Sequence, residues 1–64
     1  MDNITKLKNS IGQTVTIDTE WTYHDDVTVT KVDNDNVYIE GYDSGGNSTD
    51  YIVPLRDILS VDNG

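Results

Sequence analysis

The sequence predicts an all-β domain: a small, strongly bent sheet of five short strands closed on itself, with one short helix in front. Three observations carry that expectation. Val, Ile and Thr supply 21 of the 64 residues, and β-branched side chains are stiff at χ1 and sit well on a pleated surface. The helix-filling residues Leu, Ala, Glu and Lys together number eight, too few to build a helical domain. Apolar residues also alternate over short runs separated by Asp, Asn, Gly and Ser clusters, the pattern of half-buried strands joined by tight turns. A chain this short closes one core at most, so residues 1–64 are read as a single domain of modest stability.

Asp2-Asn3 followed by Ile4, Leu7 and Ile11 reads as a capped helix of about two turns with one apolar stripe, stopped by Gly12. Gln13 to Thr19 alternates, Val15 and Ile17 on one face and Thr14, Thr16 and Asp18 on the other, which gives a first strand. Glu20 to Asp26 breaks the pattern, and His24-Asp25-Asp26 reads as a polar turn before a second strand that starts at Val27. The parity slips between Val29 and Val32, which predicts a bulge or sharp bend near Thr30-Lys31. Asp33-Asn34-Asp35-Asn36 is dense turn chemistry. Val37, Ile39 and Gly41 then face one way and Tyr38, Glu40 and Tyr42 the other, a third strand. Asp43 to Ser48 is a hairpin loop. Tyr51, Val53 and Leu55 mark a fourth strand, which Pro54 assigns to an edge or an end. A tight turn over 55–58, a short fifth strand over 59–61 and a tail at Asp62-Asn63-Gly64 complete the chain.

Charge and composition exclude several function classes. Twelve carboxylates against four Lys and Arg give a net charge of −8, the reverse of a nucleic-acid footprint. Lys6, Lys8, Lys31 and Arg56 are the only cations available to a phosphate. With no cysteine there is no disulfide, thiolate nucleophile or Cys-based metal site. No apolar run reaches the roughly 18 residues of a spanning helix, and no signal-type segment follows Met1. The expectation is a soluble, cytoplasmic chain with no membrane partner.

The helix-then-strands order, the segment Val29-x-x-Val32-Asp33-Asn34-Asp35-Asn36-Val37-x-Ile39 and the ending "YIVPLRDILSVD" together resemble the small SH3-like and Sm-like barrels, PRC-type barrels included. In the first Sm motif an Asp, two residues, an apolar residue and an Asn precede the third strand. Asp33 and Asn36 correspond, although one residue is missing and Asp35 stands at the apolar position. The Arg-Gly pair of RNA-binding Sm proteins is absent, since Arg56 is followed by Asp57. The resemblance implies a five-stranded SH3/Sm-like barrel and, as in Sm-like rings, self-association through edge strands.

No constellation points to catalysis. His24 with Asp25 and Asp26 lacks the spread of ligands a metal site needs, and no Ser has the His as a neighbouring base. Asp33-x-Asp35 lacks the glycine and the bidentate Glu of a calcium loop. The Ser44-Gly45-Gly46-Asn47-Ser48 run has no following Lys or helix to hold a phosphate. The two Asn-x-Thr sequons at Asn3 and Asn47 are read as chance.

The aromatic residues carry the remaining signal. Trp21, Tyr23, Tyr38 and Tyr42, bordered by Asp25 and Asp26, read either as covers for the barrel end and sheet edges or as anchors of a protein-binding patch. The expectation is a non-catalytic interaction module, without cofactor or metal, whose partner is a basic protein surface or a second copy of itself. Two alternatives stand beside it. One is an acidic inhibitor of the phage type that imitates the phosphate backbone toward a host nucleic-acid enzyme. The other is an Sm-like ring binding RNA through Lys31 and Arg56.

Overall fold

The computed structural model describes residues 2–63. Helix α1 (Asn3–Lys8) leads into strands β1 (Thr14–Thr19), β2 (Tyr23–Val32), β3 (Asn36–Tyr42), β4 (Ser48–Pro54) and β5 (Ile58–Asn63), with a single 3-10 turn (Leu55–Asp57) between the last two. All strand pairs are antiparallel and form one sheet in the order β4-β3-β2-β1-β5. The chain is therefore mostly strand, as expected. Closure is a different matter: the ladder ends at β4 on one side and β5 on the other, so backbone pairing leaves the sheet open between them.

Alternation builds the core. Val15 and Ile17 from β1, Val27 and Val29 from β2, Val37 and Ile39 from β3, Val53 from β4, and Ile58 and Val61 from β5 are buried on one face. Each such side chain contributes about 1.5–3 kcal/mol by leaving water. Leu7 is the one helix residue that joins them, fully buried.

The expected helix stripe is corrected here. The Asp2 side chain caps α1 by accepting from the Thr5 amide at 2.7 Å. The helix ends at Lys8, however, so Ile11 lies outside it and forms a parallel bridge to Val29 instead. Ile4 and Ile11 stay half-exposed. Gly12 does not stop the helix. At φ +85° it turns the chain into β1 and donates its amide to the Val29 carbonyl at 2.7 Å, a conformation that favours glycine.

Strand β2 bends the sheet. The shift between Val29 and Lys31 against β3 leaves Thr30 as an extra residue, the bulge expected from the slip in parity. A second bulge was not anticipated. Between Val15↔Val27 and Ile17↔His24, Asp25 and Asp26 together face Thr16 alone. Asp26 adopts φ +57° to make it, which Asp tolerates better than most side chains. The His24-Asp25-Asp26 segment is thus bulged strand and not a turn, because the extra residue lets His24 and Val27 both face inward. The true hairpin tip is Glu20–Thr22. At the other end, Asp62 and Asn63 are strand and not tail, pairing with Thr16 and Val15; Gly64 lies outside the described residues.

Candidate interaction site

The hairpin tip between β1 and β2 is organised by one buried hydroxyl. Thr19 Oγ1 donates to the Thr22 carbonyl at 2.8 Å and accepts the amides of Trp21 at 3.1 Å and Thr22 at 2.8 Å. This places Trp21 at the tip with 78% of its surface exposed. It does not plug the end of a barrel.

Bending of β2 brings the tip close to β4. The His24 ring, half-buried and opposite Ile17, packs on Tyr51 with centroids 5.2 Å apart and accepts from or donates to Thr22 Oγ1 at 2.9 Å. Burial holds the His24 imidazole below its ordinary value of 6.5. Between the tip and β4 lies an open, largely apolar groove of about 290 Å³, bounded chiefly by Trp21, His24, Tyr51, Ile52, Pro54 and Asp57. The groove therefore occupies the gap across which the sheet curls without pairing. Ile52, on its rim, is 62% exposed.

The other aromatic residues distribute elsewhere. Tyr23, opposite Asp18, and Tyr42, opposite Ser48, are exposed and do not line the groove. Tyr38 is half-buried and already engaged: its hydroxyl donates to Asp33 Oδ2 at 3.1 Å, and Lys31 Nζ lies 5.3 Å from its ring centre. Asp33 also accepts the amides of Asp35 and Asn36, which hold its carboxyl below the usual carboxylate range, while its bond raises the Tyr38 phenol. Asp25, taken up by the Thr16 hydroxyl at 2.9 Å, and Asp26 shape the bulge and lie outside the groove. Of the six residues expected to bind a partner, Trp21 alone lines it.

Sequence reasoning missed His24, Tyr51 and Ile52 as site residues. A signal for Ile52 existed: Tyr51, Ile52 and Val53 are three consecutive apolar residues in a strand, so the middle one must face away from the core. His24 was hidden by the unrecognised bulge.

A second depression of about 350 Å³ lies where the β2–β3 turn meets the 3-10 turn, lined by Asn34, Asp35, Asn36, Pro54, Leu55 and Arg56. The Leu55 amide bonds the Asp35 carbonyl across it at 2.9 Å. Among the described residues no three His, Asp or Glu side chains converge as a metal would require, and no helix is long and apolar enough to cross a membrane. Comparisons with protein-family models, with curated proteins and with solved structures gave no match.

Proposed function

We propose that this chain is a non-catalytic interaction module that receives a basic partner protein in the groove between its β1–β2 tip and β4. The observation that carries the reading is Trp21, a large aromatic ring held out into water by a buried hydrogen-bonded turn, beside an apolar groove. Exposed aromatics bordered by a polar rim anchor interfaces, and the net charge of −8 favours a cationic partner. Small secreted domains of this size usually carry disulfide staples, which a chain without cysteine cannot form, and we place the protein in the cytoplasm. The strand order and the 3-10 turn before β5 support an SH3/Sm-like barrel closed by side chains across the gap.

Trp21 is the single tryptophan, so its emission reports on the groove directly. Titration with oligolysine decapeptide is expected to shift that emission, with binding that weakens as salt rises. Calorimetry with Trp21→Ala should then show at least a tenfold loss, roughly the 1.4 kcal/mol or more expected of an interface anchor. An unchanged emission and no heat would refute the reading.

A second reading has one observation in its favour. Asn36, matched by the Sm resemblance, and Arg56, one of the two cations of the RNA reading, line the same depression, while Lys31, the other, lies over the Tyr38 ring. RNA bound there would be competed by salt and lost with Arg56→Ala, while Trp21→Ala would leave it intact.

A further inference from the structure

We infer that the free edge of β4 takes up an extended basic segment of the partner by strand addition, the segment running antiparallel along the groove. The inference rests on the interaction reading above and adds to it the mode of docking and the chemistry of the ligand.

The two edges of the sheet differ. On β5 the helix lies alongside: Asn3 Nδ2 and Lys6 Nζ both reach edge carbonyls, those of Leu59 and Val61, at 3.4 Å. Among the described residues nothing comparable covers β4. Bonds at the two ends of the β3–β4 pair, Asp43 amide to Asn47 carbonyl and Leu55 amide to Asp35 carbonyl, fix the alternation between them. Thr49, Tyr51 and Val53 therefore point their backbone groups at β3, and Ser48, Asp50 and Ile52 present theirs to solvent. Pro54 falls on the outward set too, so its missing N–H removes no bond from the ladder and marks where an added strand must stop.

Side chains on this edge specify the occupant. Asp50 lies directly opposite Glu40 on the outer face, a like-charge pair that costs stability in a sheet. The two salt-bridge-capable cations nearest in sequence are committed elsewhere or distant: Lys31 sits over Tyr38, and Arg56 is 4.0 Å from Asp57. A Lys or Arg opposite Asp50 on an added strand would neutralise the pair, and its methylene stem would cover exposed Ile52 two residues on. The residue between turns toward Trp21. A second copy of this chain is a poor occupant, because β4 carries no Lys or Arg, so self-pairing would bring two Asp50–Glu40 pairs to one seam with no cation between them.

The geometry makes a sharp demand. In an antiparallel pair the residue opposite Asp50 must turn its own backbone N–H and C=O toward β4, so the cationic residues carry the main-chain bonds. The probe is a blocked octapeptide of alternating Lys and Thr, read by Trp21 emission against two twins, one N-methylated on every Lys and one on every Thr. The parent and the Thr-methylated twin should bind alike, and the Lys-methylated twin at least about tenfold more weakly. Asp50→Lys, which relieves the repulsion with Glu40 and so keeps the fold, should weaken the parent by a similar factor. Equal binding by all three peptides overturns strand addition while leaving the groove as a basic-partner site. Binding by none overturns both readings. A free chain found by sedimentation to be paired through β4, with the pairing lost in Ile52→Lys, overturns the proposal because the edge is already occupied.

Discussion

Gly41 is buried in β3 at a place where a Cβ would lie 3.0 Å from Val27 Cγ1 and 3.7 Å from the Tyr51 ring. Tyr51 is also the ring on which His24 rests, so the glycine sets how closely the floor of the groove can pack. Gly41→Ala should cost about 1–3 kcal/mol in urea unfolding, as overpacking does in a tight core. His24 supplies a second expectation. Its folded pKa is depressed by burial, so the unfolded chain binds the proton more readily. Stability should be intact above 6.5 and fall as pH drops from 6.5 through the folded value. His24→Gln should flatten that part of the profile, and a wild-type profile already flat there would contradict the burial of the ring. The inward facing of Gly41 was legible from alternation with Val37 and Ile39. The role of His24 was not, because a turn and a bulged strand use the same polar residues.

At the scale of elements, strand β2 decides the outcome. Its Thr30 bulge announced itself as a slip in apolar parity, since Val27 and Val29 lie on one register and Val32 on the other. The Asp25–Asp26 bulge had no such mark: both residues are polar, and Tyr23 keeps the parity of Val27 and Val29 in the sequence although the extra residue turns its side chain outward and His24 inward. That bulge moves the hairpin tip back to Glu20–Thr22 and leaves Trp21 exposed there, so that of its two readings the barrel-end cover falls away. The helix and its Asp2 cap stand as expected, and only its end was misplaced. Ile4, Leu7 and Ile11 have helical spacing, but the backbone leaves the helix before Ile11, and spacing cannot report where a helix ends. Thr19 joins strand and tip. Thr19→Val removes the acceptor of two amides and should cost about 1–3 kcal/mol. Because the tip then loses its anchor, oligolysine should also bind more weakly, even under conditions where the variant is fully folded. Wild-type affinity in a destabilised variant would separate the tip from the site.

For the molecule as a whole, the all-β class, the five strands and the final tight turn could be read from composition and alternation. Pro54 marked β4 as an edge or an end, and it is both. That β5 is the other edge, and that α1 settles against it while the curl of β2 stops short of β4, could not be read, because these depend on long-range placement. Acidity is spread along the sequence without pitch, and it gains direction once the fold sets Asp50 and Asp57 beside an apolar groove and an unpaired edge. The most direct test is a map of backbone amide shifts in 15N-labelled protein on titration with the Lys-Thr octapeptide. Perturbations confined to the Trp21 tip, His24 and the 48–54 edge, with the Ser48, Asp50 and Ile52 amides gaining protection from exchange, are the expected result. Shifts centred on Asn34–Asn36 and Arg56, or on the β5 edge, would contradict it.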